Sequence, residues 1–255
     1  MTSDTVTPQN QARTAAKQAL REALSTHSGD PKNGKVAAAI DHLISLNPTP
    51  DPTRQTDLLD GDWRLISAPS FPDGELQEDG TYTYTLGRLA FNMFQPKDLK
   101  VVVNQVSQPV FPIAGSSQRT HDIVVEFTAL SHDFPPLRGI VRNLGVCEPG
   151  SDTALQVQFT GGTLEPAAGT DLQTWNDVFS KPSASVGFNP KEWFQDLFLK
   201  FMFGLVPPDG VDPETGRSEF QMKRSPNGSL EILYLDEELR ITNGEQGTVL
   251  VCERI

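Results

Sequence analysis

From Leu58 onward the chain is a succession of about ten short apolar stretches with turn signals between them and almost no helical period. The stretches run DWRLIS, YTYTLGRLAFNMF, LKVVVNQVSQPV, HDIVVEFTAL, RGIVRNLGVC, ALQVQFTGGTL, SEFQMKR, LEILYL, LRIT and TVLVCER. Several alternate with period two: Ile123, Val125 and Phe127 share one face, as do Leu155, Val157 and Phe159 with Gln156 and Gln158 opposite. That period places one side of each strand toward a core. Asn243-Gly244 and Pro226-Asn227-Gly228 mark tight connections. Many consecutive strands without crossover helices imply an antiparallel sheet closed into a barrel or folded as a sandwich. FTGGTLEP, with its glycine pair, is expected to be a bend.

The region before Leu58 has a different texture. Gln9 to Ser25 is rich in Ala, Gln, Lys and Arg, with Ala16, Leu20 and Leu24 four apart, which predicts a helix. Lys35 to about Leu46 carries Val36, Ile40, Leu43 and Ile44 on one stripe, and NPTPDPTRQ ends it because its prolines cannot continue a helix. The expected organisation is a helical preface and Pro-rich linker over residues 1–57, then a β-barrel domain over 58–255. One further helix is expected at about 190–205: Asn189 can cap it, Pro190 starts it and Pro207-Pro208 stop it. Its Trp193, Phe194, Leu197, Phe198 and Phe201 form an apolar face broad enough for packing on the barrel or for contact with lipid.

Charge excludes several functions. Thirty-three acidic residues against 21 basic ones leave a net charge of −12, and Lys and Arg occur singly or in pairs. Nucleic acid is therefore not an expected partner, since its binding needs clustered cations. The N-terminus lacks the basic start and apolar core of a signal peptide. Cys147 and Cys252 are too few for a disulfide or metal framework and are expected as strand thiols in a reducing cytoplasm.

Catalytic signatures are also missing. There is no G-x-S-x-G, no phosphate-binding loop and no H-E-x-x-H, and His27, His42, His121 and His132 have no partners at metal-ligand spacing. No catalytic residue, metal or cofactor is expected. The remaining acid/base cluster is Asp236-Glu237-Glu238 followed by Arg240. In an extended chain Asp236, Glu238 and Arg240 share one face, so a structural carboxylate–arginine pair at a sheet corner is expected.

Four stretches together resemble the plastid lipid-associated protein/fibrillin family of plants and cyanobacteria: IDHLISLNPTP, LLDGDWRLI, LKVVVNQV and YLDEELRITNGEQGTVLVCER. The resemblance spans about Gln9 to Arg254. It implies a lipocalin-like antiparallel β-barrel preceded by two helices. In such barrels a G-x-W at the first strand is covered by an arginine of the last strand, which assigns barrel closure to Gly61, Trp63 and Arg254. It further implies association with thylakoid membranes or lipid bodies, a role in photoprotection, and isoprenoid lipids, carotenoids or quinones as ligands, in a cyanobacterial-type protein.

A barrel of about eight strands can hold one small ligand, and the inward apolar positions expected to line it are Phe91, Val102, Phe127, Phe159 and Tyr234. The leading expectation is a non-enzymatic protein that binds apolar small molecules, cytoplasmic or peripheral on a photosynthetic membrane. One alternative is a protein-interaction module whose barrel is filled by side chains. Another is a bilin-lyase-like or isomerase-like relative using Cys147 or the Asp236, Glu238 and Arg240 group.

Overall fold

The structure is a computed structural model and describes residues 7–180, 204–225 and 227–255. Of the helix expected at 190–205, residues 190–203, with Trp193, Phe194, Leu197, Phe198 and Phe201, lie outside the described residues, whereas Leu205, its expected end, begins a short strand. The class is the expected one: mainly antiparallel β, with two helices in front. The chain divides into two compact units, one of residues 1–68, 149–156 and 229–255, the other of residues 69–148 and 157–228.

In the first unit, α1 (Pro8–Thr26) begins where the Thr7 hydroxyl accepts the Asn10 N–H and Pro8 takes the first helical position. It ends where the Gly29 N–H returns to the Leu24 carbonyl at 2.8 Å. The second helix, α2 (Gly34–Ile44), is capped by Asn33. Ala16, Leu20 and Leu24 of α1 and Val36, Ile40 and Leu43 of α2 are buried as the spacing requires. They share one core with Tyr234, Leu239, Ile241 and Val251 from β11 (Gly228–Leu235), β12 (Leu239–Gly244) and β13 (Val249–Arg254). The helical preface is thus packed on the last three strands. The prolyl linker is fastened to them too: the Thr49 hydroxyl donates to the Leu235 carbonyl at 2.7 Å, and the Asn47 Oδ1 accepts the Leu235 N–H. A short helix, α3 (Thr56–Leu59), then leads into β1 (Trp63–Leu65), which pairs with β13.

The second unit contains β2 (Glu75–Leu76), β3 (Tyr82–Thr85), β4 (Lys100–Ser107), β5 (Arg119–Thr120) and β6 (Ile123–Ala129). It also holds most of β7 (Leu137–Pro149) and β8 (Ala154–Pro166), with β9 (Leu205–Val206) and β10 (Ser218–Met222). β4 and β6 pair antiparallel with Val103 opposite Phe127 and Val102 opposite Thr128. Asn104 is an extra residue in this ladder, since Gln105 then pairs with Glu126. The bulge shifts the alternation by one, and the buried valines fall at 101, 103 and 106.

Three local expectations change. YTYTLGRLAFNMF is a strand only to Thr85; Leu86–Leu89 is a short helix, α4, followed by an irregular turn. FTGGTLEP is not a bend, because β8 runs straight through it. Its glycines serve packing: a Cβ on Gly162 would lie 2.5 Å from the Phe220 ring, and one on Gly161 would strike the Phe220 carbonyl. Finally, Leu172–Phe179 forms a helix, α5, that strand counting passes over. Asp171 caps it through the Thr174 N–H at 2.8 Å. Trp175 and Phe179, four apart, are its buried face, and the Trp175 indole N–H donates to the Gly216 carbonyl.

Candidate functional site

The C-terminal ladder of the first unit has two faces with different jobs. On one, Leu239, Ile241 and Val251 pack against α1 and α2. On the other, cross-strand register aligns Trp63 with Arg254 and Arg240 with Cys252. The Arg254 guanidinium carbon lies 4.3 Å from the Trp63 ring centre and that of Arg240 lies 4.9 Å from it. Each such contact is worth about 0.5–2 kcal/mol. Arg254 also donates to the carbonyls of Leu58, Asp60 and Glu237, while the Trp63 indole donates to the Leu59 carbonyl at 2.9 Å. Gly61 makes this approach possible. Its φ is +150°, a region that side chains avoid, and a Cβ there would collide with the Arg254 guanidinium. Gly61, Trp63 and Arg254 are therefore one clasp between the entry to β1 and the end of β13.

The acidic corner is answered from the helix. Lys17 Nζ sits 3.0 Å from Asp236 and 2.8 Å from Glu238, and Arg21 reaches Glu238 at 3.2 Å. The expected partner Arg240 lies against Trp63 instead, because the corner at Asp236 breaks the extended alternation that would have aligned them. Asp236 also accepts from the Tyr234 hydroxyl at 2.6 Å and from the Glu238 and Leu239 N–H groups at 2.8 Å. Burial pushes the Asp236 pKa up, but the Tyr234 hydroxyl, the two N–H groups and Lys17 outweigh it and hold it below the ordinary value. Burial of Lys17 pulls its pKa down, and Glu238 and Asp236 outweigh that, leaving it raised. Burial, then Asp236, pushes the Tyr234 phenol upward. A carboxylate held ionised and fully hydrogen-bonded is a structural anchor, not a proton donor.

In the second unit a cleft of about 480 Å³ opens beside α4, β8 and α5. Met93, Phe94, Leu164, Phe179, Pro207, Pro208 and Val211 supply its apolar wall, with Asn92, Gln95, Ser180 and Ser218 as polar groups and Lys97 as its charge. Next to it runs a chain of aromatic rings. Phe94 meets Phe220 at 5.5 Å, Phe220 meets Phe91 at 6.4 Å, and Phe91 meets Phe159 at 5.6 Å between ring centres. Phe94 and Phe220 are buried, whereas Phe91 is 45% exposed. Phe91 and Asn92 both have left-handed backbone, with φ of 51° and 58°, which is costly for a bulky side chain. Hydrogen bonds fix the turn: Asn92 N–H and Ala90 N–H donate to the Gly87 carbonyl, and Gly87 N–H donates to that of Lys97.

The ligand-lining set expected from alternation is not brought to one place. Phe91 and Phe159 meet at the aromatic chain. Phe127 is buried against Trp175, and its partner across the ladder is Val103, so Val102 lies on the opposite face. Tyr234 belongs to the other unit, where a bulge between Ile232 and Tyr234 turns it toward the helices. Met93, Phe94 and Phe179, which the sequence reading missed, are cleft residues. Their signal was weak: Met93 and Phe94 end a stretch read as a strand but follow the short helix Leu86–Leu89, and Phe179 sits in a helix that strand counting passes over.

Cys147 and Cys252 are buried thiols that form no disulfide, and burial raises the Cys252 pKa. Neither is placed as an accessible nucleophile. No cluster of metal-ligating side chains occurs among the described residues. Nor is any helix among them long and apolar enough to cross a membrane.

The model of the PAP_fibrillin family matches residues 15–253, from the first helix to the final strand. The chain belongs to this family. No match came from the curated proteins or from the solved structures. The PAP_fibrillin match takes in Gly61, Trp63 and the cleft, and ends one residue before Arg254.

Proposed function

We propose that this PAP_fibrillin protein is a non-enzymatic binder of apolar small molecules, of the isoprenoid lipid, carotenoid or quinone class, at photosynthetic membranes. The observation that carries the reading is the cleft of the second unit, with its largely apolar wall and the half-exposed Phe91 beside it. A pocket of this size with a few polar groups suits a small apolar ligand, and aromatic rings supply area at low entropic cost. The buried, ionised Asp236 and the buried thiols argue against acid/base or nucleophilic chemistry at the groups the sequence offers for it.

The test is purification of the full chain from a pigmented photosynthetic host, followed by organic extraction. Isoprenoid lipid or pigment recovered in a fixed ratio to protein supports the reading. Repeated preparations without lipid but with a stable protein partner favour an interaction module instead.

A further inference from the structure

We infer that the hairpin tip from Phe111 to Gly115 is a membrane-surface anchor that inserts between uncharged or zwitterionic lipid headgroups. This names a contact site for the membrane association in the proposed function, and rests on that reading only for its biological setting.

The base of the hairpin is fixed. Gln108 and Val110 are buried, Arg119 pairs with Cys147, and Thr120 N–H donates to the Phe111 carbonyl at 2.8 Å. The Phe111 N–H in turn donates to the Thr120 hydroxyl, and Ser116 N–H closes the turn on the Ile113 carbonyl. The tip is bare. Phe111 is 42% exposed, Ile113 is half-buried, and Pro112 and residues 114–117 are exposed. In a two-stranded hairpin, neighbouring residues point to opposite sides. Exposure of adjacent residues therefore means that the tip projects from the body with both sides open.

The chemistry of the tip matches a lipid surface. Val101 to Gln118 contains no charged residue, in a chain with 33 acidic and 21 basic ones, and Arg119 follows at the base. A five-residue projection is much too small for a stable protein interface, which needs about 20–30 residues a side. A lipid surface closes around a projection from all directions and so buries it fully. Because the chain carries a net −12, apolar burial and not charge drives the contact, and anionic lipid is not required.

The experiment is flotation of the full chain with phosphatidylcholine vesicles, comparing wild type with the double variant Phe111→Ser, Ile113→Ser. The expected result is a fall in partitioning of roughly tenfold or more, insensitive to salt, with an unchanged melting temperature. A second measurement uses Phe111→Cys carrying an environment-sensitive dye, whose emission should shift to the blue on vesicle addition. Equal flotation of wild type and double variant, no flotation of wild type, or an unshifted dye would each overturn the anchor. So would a tip that captures a protein partner while leaving vesicles unbound. Quinone binding by the cleft, measured in the same variants, should be unaffected. Loss of the anchor and loss of the cleft reading are therefore separate results.

Discussion

Lys17 and Asp236, 219 residues apart in sequence, meet at 3.0 Å in the buried seam between α1 and the last hairpin. The pair converts the helical preface from an appendage into part of the first unit's core. Lys17→Met should destabilise the protein by about 2–3 kcal/mol, because Asp236 is left buried with one charge uncompensated. Urea unfolding measures this. In the double variant Lys17→Met, Asp236→Asn the two losses should sum to more than the observed one, which is the signature of direct coupling.

The same seam sets the pH limits of stability. The Asp236 and Glu238 pKa values are lowered from ordinary values of 3.8 and 4.5. Their contribution is present above those values and is lost as pH falls through the folded-state pKa. The Lys17 pKa is raised from 10.5, so its contribution is present below 10.5 and is lost as pH rises through the folded value. Tyr234, raised as well, adds to the alkaline loss. Stability against urea should be flat near neutrality and fall below about pH 4 and above about pH 10. Asp236→Asn should flatten the acid limb.

Gly61→Ala should cost about 1–3 kcal/mol from backbone strain and from displacing Arg254 from Trp63. Arg254→Ala in that background should not restore the lost stability, since the φ of +150° at position 61 remains. Thermal unfolding of the two single variants and the double variant checks this.

The aromatic chain separates stability from binding. Phe220→Ala removes a buried ring and should cost about 3–5 kcal/mol. Phe91→Ala removes a ring already 45% exposed and should cost less than about 1 kcal/mol. Relief of left-handed strain at that position does not follow, as alanine avoids it too. Denaturant midpoints rank the two.

The period of the β stretches and the stripes of α1 and α2 were legible because burial on one face writes itself directly into residue order. Even the clasp could be placed, since Gly61, Trp63 and Arg254 follow the family pattern. The parity of Val102 and Tyr234 was not legible: single-residue bulges beside Val103 and Tyr234 invert faces without any compositional mark. Asp236 was legible as an anchor, but its cation came from a helix over two hundred residues away, and local spacing pointed to Arg240. The cleft depended on a left-handed turn at Phe91-Asn92 in a stretch that alternation had assigned to a strand.

Trp175 offers the most direct test of the central claim. Its ring centre lies 4.1 Å from that of Phe179, which lines the cleft, so a quinone held there should quench its emission. Titration of the full chain with a short-chain quinone should give saturable quenching. Val211→Asp, which places a carboxylate in the apolar wall, should weaken the binding by roughly tenfold or more. Quenching that never saturates, or is identical in Val211→Asp, would contradict a ligand-binding cleft.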